Sequence, residues 1–356
     1  MPCDPIDAVI GLMRAQVERL RGPGGGLISR MLAHHLGWEA PQGMGKTPAT
    51  PAGKPATSSA GKPAIQPAGK LVRPRLCLLS CRAVGGDAFA AVPAAAAVEL
   101  IHTFSLIHDD IEDRDEMRRG RPTVWKVWGE AQGINAGDCL YSLAYAVLGE
   151  ADGRAGEAPR RLRAVAVLSE ACVRLCEGQA HDIALQSQED ISEAEYLDMV
   201  GRKTGAIMAA AAHMGALVGG ASDEHAGAFR QFGLQLGVAF QIRDDILGIW
   251  GDPQKTGKPV GSDLSRKRCS YPVIWGLAQT RGRDRDAILA ARDEPSPAAL
   301  GEAAAALERL GARARADELA AQVHRQAWAA LEGLELEPRA AEELRQLTEF
   351  LTSREG

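Results

Sequence analysis

Three carboxylates lie close together near residue 110 and could bind a metal ion. Asp109 and Asp113 are four residues apart, hence on the same face of a helix, and Asp110 lies beside the first of them. Carboxylates one turn apart repel each other, so such a cluster on an otherwise apolar helix needs a counter-charge. Oxygen ligands suit a hard cation such as Mg²⁺, which also binds substrate phosphates. Arg118 and Arg119 follow and could bind phosphate, although the same residues could form a solvated run of salt bridges.

A second cluster of the same kind appears far along the chain. Asp244 and Asp245 end another apolar stretch, and Gln241 lies three and four residues before them on the same face. Basic residues follow in or after a segment rich in Gly and Pro: Lys255, Lys258, Lys267 and Arg268. Two apolar helices that end in acids and face each other would form a deep apolar cavity with a metal-binding rim. Because the pattern occurs twice, we interpret both clusters as parts of one phosphate-binding site.

The elements that carry these clusters are predicted to be helices. Of the 356 residues, 46% are hydrophobic but only 4% are aromatic, so Ala, Leu, Val and Ile must build the core, which favours helix over strand. Alternation with a period of two is absent, so no sheet is expected. The predicted helices are 74–84, 89–110, 132–149, 157–179, 192–218, 222–249, 267–280, 296–309, 312–333 and 337–352. The fold class is therefore all-α, and the last three helices are expected to serve packing or subunit contacts.

The N-terminal region divides into two segments that precede the main body. Residues 4–21 carry a helical period, and residues 1–39 are assigned to an N-terminal helical segment. Residues 40–68 contain an eight-residue repeat that begins at Gly45 and consists largely of Pro, Ala, Gly, Ser and Thr. This composition cannot bury enough apolar surface to fold, so we predict a disordered insertion: either a passive linker or a basic tether to a scaffold or protein shell. Residues 69–356 form the remainder of a single domain.

Composition and patterning argue against several classes of protein. The formal charge of −5 provides no basic field for nucleic acid. The seven cysteines contain no CxxC pair, so neither a zinc site nor a disulfide framework is expected, and the reducing cytoplasm is the simplest compartment. The N-terminus lacks the pattern of a signal peptide. The apolar run from Ala88 to Ile101 is too short for a membrane span and leads into charged residues.

Both clusters resemble motifs of the trans-type isoprenyl diphosphate synthases, also called polyprenyl synthetases. The similarity runs from about Gly69 to the C-terminus. It covers the DDxxD motif at 109–113 with Arg-Arg-Gly at 118–120, GKxxRP at 69–74 and KTG at 203–205. Gly178, Gln179 and Asp182 resemble GQxxDL, and a second half-site includes Asp263. The resemblance implies the isoprenoid synthase fold, which is a helical bundle around a deep central apolar cavity. It also implies a homodimer without a membrane span.

The resemblance assigns roles to individual residues. Catalytic roles fall on Asp109, Asp110, Asp113, Arg118, Lys203, Asp244 and Lys258. Mg²⁺, in three ions bound with the diphosphate, would be held by Asp109, Asp110, Asp113, Asp244 and Asp245. Substrate binding falls on Lys70, Arg73, His102, Arg118, Arg119, Lys203, Thr204, Gln241 and Lys258. The implied reaction is a prenyl transfer, in which an allylic diphosphate (dimethylallyl, geranyl or farnesyl) condenses with isopentenyl diphosphate.

Two departures from the family pattern leave alternatives open. The second motif normally reads DDxxD, but Gly248 occupies its last position, and the insertion runs directly up to Gly69. A catalytically weak subunit that regulates another synthase is therefore one alternative. A class I terpene cyclase is a second, since it shares the first motif. The second metal motif of such cyclases, N/D-xx-S/T-xxx-E, does not occur in this sequence.

Product length is expected to depend on the residues that precede the first motif. Ser105 lies four residues before Asp109 and is small, whereas Phe104 is bulky and lies five residues before it, about 7.5 Å along the helix. Within the family, aromatics at both positions resemble the makers of C15 products, and one aromatic at the lower position resembles the makers of C20 products. The sequence therefore predicts mainly C20 geranylgeranyl diphosphate, with C15 farnesyl diphosphate as the second candidate.

Overall fold

The structure is a computed structural model of the whole chain. The described residues are 4–22, 26–38, 71–150, 157–252, 261–265 and 268–352. The predicted insertion at 40–68 lies outside these residues, as do Lys70 and Lys258.

Helices dominate the described residues, which confirms the predicted all-α class. In chain order they are α1 Pro5–Arg19, α2 Leu27–His35, α3 Val72–Ala83, α4 Val92–Glu112, α5 Val124–Trp128, α6 Glu130–Gly149, α7 Glu157–Leu185, α8 Glu193–Val200, α9 Ala206–Gly219, α10 Asp223–Trp250, α11 Ser262–Ser265, α12 Tyr271–Gln279, α13 Arg283–Asp293, α14 Pro297–Arg309, α15 Ala312–Ala329 and α16 Pro338–Thr352. A 3₁₀ turn, Ala88–Ala91, precedes α4, and a π turn, Gly201–Gly205, joins α8 to α9.

The predicted helices differ from the observed ones in two respects. The single helix predicted over residues 192–218 is interrupted by the π turn, which sequence periodicity does not reveal because the apolar pattern continues through it. Four of the described helices were not predicted individually: α2, α5, α11 and α13. The first three are short, and α13 is rich in Arg and Asp, so their apolar periodicity is weak.

The expectation that no sheet occurs was wrong at one place. Two-residue strands, β1 Met117–Arg118 and β2 Arg121–Pro122, pair in antiparallel register. Strands of this length are too short to show alternation. Arg119 and Gly120 turn the chain with φ of 52° and 73°, as a tight two-residue hairpin requires.

The chain groups into two compact units. The larger unit consists of Met1–Val9, Val72–Glu99 and Val147–Gly356, and the smaller one of Ile10–Leu71 and Leu100–Ala146. In the larger unit the alanine-rich α9 is buried along nearly its whole length and packs on α3, α7 and α10. Small residues permit this close packing: a Cβ on Gly237 would stand 2.7 Å from the Cα of Gly205. The packing of α9 therefore places the π turn close against α10.

One helical segment among the described residues, Ala88–Glu112, is long and apolar enough to cross a membrane. Of its most apolar window, 78% is buried inside the protein, as in the core helix of a globular fold.

Candidate active site

The first acidic cluster ends α4 in the smaller unit, and its three carboxylates differ in environment. Asp109 and Asp113 are partly exposed, and the backbone N–H of Asp113 donates to the carbonyl of Asp109 at 2.8 Å. Asp110 is only 1% exposed and accepts a hydrogen bond from Nε of Arg118 at 2.6 Å. Burial raises the pKa of Asp110 to about 6 despite the nearby guanidinium. Asp110 and Arg118 thus form a fixed pair, while Asp109 and Asp113 stay partly exposed.

The hairpin that carries the basic pair is held by the chain around it. The carbonyl oxygen of Asp115 accepts two hydrogen bonds at 2.8 Å, one from Oγ1 of Thr123 and one from Nε1 of Trp125. These contacts tie the start of the hairpin to the residues that follow it. Arg119 has a left-handed backbone, which is costly for a residue other than glycine and persists only where the surroundings enforce it.

Helix α2 supports the same hairpin, and no pattern in the sequence pointed to this. His34 is 2% exposed and its Nε2 lies 2.8 Å from the carbonyl oxygen of Pro122. The next residue, His35, has its pKa lowered to about 3, first by burial and then by Arg118 and Arg119. An imidazole that stays neutral adds no positive charge beside the basic pair.

The two residues predicted to limit product length are both buried. Phe104 is 8% exposed and contacts His108 and Tyr141 edge to face, with ring centroids 5.1 and 5.5 Å apart. Ser105 donates from Oγ to the carbonyl of His102 at 2.9 Å, inside the helix itself. Phe104 therefore belongs to an aromatic cluster, and Ser105 adds little bulk beside it.

In the larger unit, Asp245 is the centre of a hydrogen-bond network. Its carboxylate, 3% exposed, accepts hydrogen bonds from the hydroxyl of Tyr196 at 2.6 Å, from the backbone N–H of Tyr271 at 2.9 Å and from Nε2 of Gln241 at 2.9 Å. Gln241 in turn accepts from Oγ1 of Thr204 at 2.9 Å. Burial and neighbouring Asp263 raise the pKa of Asp245 to about 7. Asp245 thus orients the end of α10 and links it to the π turn.

Lys203 lies in the π turn and is held by α7. Its Nζ donates to Oδ2 of Asp182 at 2.6 Å. Gly178, one turn earlier on α7, allows the close approach, because a Cβ there would stand 2.7 Å from the Cα of Lys203 and overlap its backbone nitrogen. The Gly and Asp of the 178–182 segment therefore both serve to place Lys203.

Asp244 is partly exposed near the end of α10, and the position one turn later is Gly248. The carboxylate of Asp263, from α11, lies against Gly248: a Cβ there would overlap Oδ2 and stand 3.0 Å from Oδ1. Nη1 of Arg268 lies 3.8 Å from the same carboxylate. An aspartate at position 248 could not fit in this arrangement.

The donor set fits a hard cation that binds together with a diphosphate. Among the described residues, no three His, Cys, Asp or Glu side chains converge closely enough to hold a metal ion by themselves. Mg²⁺ commonly binds through one or two carboxylates and completes its shell with water and substrate phosphate. Asp109 and Asp113 in the smaller unit, and Asp244 in the larger one, are partly exposed carboxylates, as this mode requires of each ligand. Oδ2 of Asp110 is enclosed and has no hydrogen-bond partner among the described residues, which also fits a site completed by a ligand.

A match to a protein-family model decides which family the chain belongs to. Residues 54–308 match the model named polyprenyl synthetase. This chain belongs to the polyprenyl synthetase family. A short chain isoprenyl diphosphate synthase from Methanothermobacter thermautotrophicus is 42% identical over 286 residues, which are 80% of this chain and 86% of that protein. Polyprenyl synthetases are trans-prenyltransferases, so the predicted enzyme class is confirmed.

Solved structures of polyprenyl synthetases share the fold. A polyprenyl synthetase from Streptomyces coelicolor superimposes with a TM-score of 0.82 at 36% identity, covering 98% of this chain and 97% of that one. A polyprenyl synthase from Caulobacter crescentus, solved with calcium and isoprenyl diphosphate, has a TM-score of 0.79 at 28% identity and covers 98% and 95%. The isoprenoid synthase fold is thereby confirmed, and the use of divalent metal ions is a property of the family.

The names of other polyprenyl synthetase relatives differ in product. Matching proteins are named farnesyl, geranylgeranyl and geranylfarnesyl diphosphate synthase. These relatives share a short-chain product, but the length of that product differs from one relative to another.

The remaining family positions are divided between the two units. Arg73 lies at the start of α3 in the larger unit, and His102 lies on α4 in the smaller one; both are partly buried. The structure brings together Arg118 with Asp110, Lys203 with Asp182, and Thr204 with Gln241 and Asp245. Sequence reasoning missed His34, His35, Tyr196 and Tyr271, which act through hydrogen bonds or charge on the predicted residues.

Proposed function

We propose that this polyprenyl synthetase condenses isopentenyl diphosphate with an allylic diphosphate in a Mg²⁺-dependent reaction and makes mainly C20 geranylgeranyl diphosphate. The observation that carries the proposal is a feature found in both units. In each one an apolar helix ends in acids, and a basic side chain is fixed nearby by an ion pair: Arg118 by Asp110, and Lys203 by Asp182.

The reaction requires stabilisation of a departing diphosphate. Breaking the carbon–oxygen bond of the allylic substrate leaves negative charge on the diphosphate and a carbocation on the chain. Bound Mg²⁺ would neutralise part of the diphosphate charge. Arg118 and Lys203 are held in place before the substrate arrives, so they can stabilise that charge without the cost of reorganisation. Asp109, Asp113 and Asp244 are the carboxylates that would hold the metal ions.

The other substrate, isopentenyl diphosphate, would bind through basic groups that resemble those of the family. Arg73, His102 and Arg119 are the described members of this set, together with Lys70 outside the described residues. Gln241 and Thr204 would contact the allylic diphosphate. No protein nucleophile is required, because the double bond of isopentenyl diphosphate attacks the cation and a proton is then lost.

Product length follows from one bulky side chain before the first motif. Phe104 is packed in an aromatic cluster and Ser105 leaves room beside it, which favours C20 over C15. Farnesyl diphosphate is the second candidate. To measure product length, the purified chain is assayed alone with Mg²⁺ and both diphosphates, and the dephosphorylated products are separated by chromatography. Turnover that appears only when a second synthase is added would instead support the regulatory-subunit alternative, and a cyclic hydrocarbon product would support a terpene cyclase.

We also propose that the enzyme is a cytoplasmic homodimer. The support is a set of exposed apolar side chains on α7, Leu162, Val173 and Ile183, which are 71%, 57% and 47% exposed. Apolar side chains that share one exposed helix face can contribute to a protein–protein contact, and Leu162 and Val173, eleven residues or about three turns apart, share such a face. Light scattering coupled to size exclusion would measure the mass, and Leu162→Glu combined with Val173→Glu should shift it toward the monomer.

Residues 40–68 are proposed to act as a tether, as their basic repeats suggest. Deletion of residues 45–68 should preserve most activity and remove a specific partner from a pull-down. The same partners with and without the segment would leave a passive linker.

A further inference from the structure

A cavity of about 440 Å³ lies within the larger unit, between α7, α8, α9, α10, α15 and the π turn. Cavities that bind small molecules commonly have volumes of about 300–1,000 Å³. None of the described residues assigned to metal or substrate binding lines this cavity. On α7 it is lined by Arg174, which lies about 100° around the helix from Val173 of the proposed subunit contact. The cavity is therefore distinct from both the candidate active site and that contact.

Apolar side chains form a large part of the cavity wall. They are alanine, valine and leucine residues from all five helices, and α9 contributes Ala206, Ala209 and Ala210. The lining on α9 extends from Ala206 to His213, which is about 10 Å at 1.5 Å per residue. Gly201 also lines the cavity, and a Cβ there would meet nothing within 4 Å. The cavity thus has the apolar surface and the open space for a short hydrocarbon chain.

The arginines that line the cavity differ in their partners. Arg174 lies 3.3 Å from the carboxylate of Glu170 on its own helix. Arg202 pairs with two carboxylates, the nearer of which is that of Glu177 at 2.8 Å. Arg230, on α10, is exposed and forms no ion pair with any other described residue. Arg230 is therefore the guanidinium at this cavity that can take an acidic group from a ligand.

The ring of His213 lines the cavity close to Arg230. Burial, and after it Arg230 and Arg163, lower the pKa of His213 to about 4, so the imidazole is neutral near pH 7. A neutral imidazole has one N–H donor and one acceptor nitrogen. Its Nδ1 is enclosed and has no hydrogen-bond partner among the described residues, which is unfavourable for a buried polar atom. An unpaired guanidinium and an unsatisfied imidazole thus lie near each other at one end of an apolar cavity.

We propose that this cavity binds a small amphipathic anion, with a short hydrocarbon chain along α9 and a carboxylate or phosphate head at Arg230. The inference goes beyond the proposed prenyl transfer and does not depend on it. Gly201 and Arg202 line the cavity, whereas the next residue, Lys203, is paired with Asp182. A ligand bound here would therefore contact the same turn that carries Lys203.

The test is a calorimetric titration of the full-length protein with octanoate and, in a second arm, with octyl phosphate. Binding of either probe at one site per chain is expected, and the tighter of the two identifies the preferred head group. Octanol has the same chain without the charge and should bind at least about tenfold more weakly, because a hydrogen bond to a charged group is lost. Binding of neither anion, or equal binding of octanol, overturns the inference.

Two variants place the probe in this cavity. Arg230→Gln should weaken octanoate binding at least about tenfold, whereas Arg325→Gln, at an exposed position of α15, should not. Gly201→Leu fills open space in the cavity and should weaken octanoate and octanol alike. Gly227→Leu is its control on α10, because a Cβ there also meets nothing within 4 Å and Gly227 does not line the cavity.

Circular dichroism identifies a variant that fails to fold, and Arg230→Gln, at an exposed position, then carries the test. Octanoate binding of wild-type strength in Arg230→Gln, or in a folded Gly201→Leu, overturns the inference. Saturating Mg²⁺ and inorganic pyrophosphate should leave octanoate bound. Complete displacement of octanoate by them would place the probe in the active site and would also overturn the inference.

Discussion

His34 and Pro122 are joined by a hydrogen bond that links the N-terminal part of the smaller unit to the arginine hairpin. Nε2 of His34 lies 2.8 Å from the backbone oxygen of Pro122, so this nitrogen must carry the proton. The ring of Trp128 packs edge to face on His34 at 5.2 Å. A buried, neutral imidazole thus supports the strand that follows Arg118 and Arg119.

Loss of this support should affect substrate binding more than folding. His34→Ala leaves the Pro122 carbonyl unsatisfied, at a cost of about 1–3 kcal/mol of stability. Because the hairpin then loosens, we expect the KM for a diphosphate substrate to rise about tenfold with a smaller change in kcat. His34→Gln keeps a donor and should recover part of the loss. His225→Ala, at an exposed position of α10, is the control. An unchanged KM in His34→Ala would show that the hairpin does not depend on α2.

The partly exposed carboxylates Asp109 and Asp244 should be essential for turnover and dispensable for the fold. Asp109→Ala and Asp244→Ala each remove a proposed metal ligand, and we expect turnover to fall at least about 10²–10³-fold. Steady-state kinetics measures the loss, and circular dichroism should show unchanged helix. EDTA should abolish the activity of the wild type and added Mg²⁺ should restore it. Glu332→Ala, at an exposed turn, is the control. Near-normal turnover in either aspartate variant contradicts the two-cluster hypothesis.

Product length should respond to the aromatic cluster. Phe104→Ala opens space near α4 and should lengthen the products, whereas Ser105→Phe should shorten them toward C15. Chromatography of the dephosphorylated products measures both. Phe104→Ala should also lower the free energy of unfolding by about 3 kcal/mol, because a buried aromatic is lost. Phe89→Ala, which truncates a ring that is 47% exposed, should change neither property. An unchanged length distribution in Phe104→Ala would make Phe104 ordinary core packing.

Acid should destabilise the protein through His35. Its pKa in the folded protein is about 3, against 6.5 for an ordinary histidine, because it is buried beside Arg118 and Arg119. Between these two values the unfolded chain binds the proton and the folded protein does not. The free energy of unfolding should therefore fall as the pH drops from 6.5 toward 3, by at most about 1.4 kcal/mol per pH unit for this group.

The measurement is urea unfolding at several pH values between 4 and 7. His35→Gln cannot be protonated, so its stability should fall less steeply with acid than that of the wild type. His225→Gln, at an exposed position, is the control for the effect of replacing a histidine by glutamine. Equal slopes for His35→Gln and wild type would mean that His35 is protonated in the folded protein.

The sequence was sufficient to locate both acidic clusters, because their motifs are short and lie at helix ends. It could not distinguish the roles of adjacent acids. Asp109 and Asp110 are adjacent, so their side chains lie about 100° apart around the helix, and only Asp110 is buried against Arg118. The same is true of Asp244 and Asp245, whose difference depends on Tyr196, a residue 49 positions away.

Other features were beyond sequence reasoning for related reasons. The support of the hairpin by His34 joins residues 88 positions apart and has no local pattern. At Gly248 the sequence shows only a missing carboxylate, because the close approach of Asp263 to this position depends on the fold. Lys203 and Asp182 were both identified by motif, yet their ion pair required the close approach that Gly178 allows.

Because the π turn at Gly201–Gly205 joins α8 to α9, the number of residues between these helices constrains the engineering of the enzyme, in addition to their identity. A wide turn contains one residue more than an α-helical turn would. Deleting one residue between Val200 and Ala206 would leave enough residues for a regular α-helical turn, so the helices on both sides would keep their relative phase while the wide turn disappears. A substitution in this segment changes the contacts of one side chain and leaves the path of the backbone unchanged. A deletion there would instead leave the buried face of α9 in place and remove the widened turn that holds Lys203 opposite Asp182.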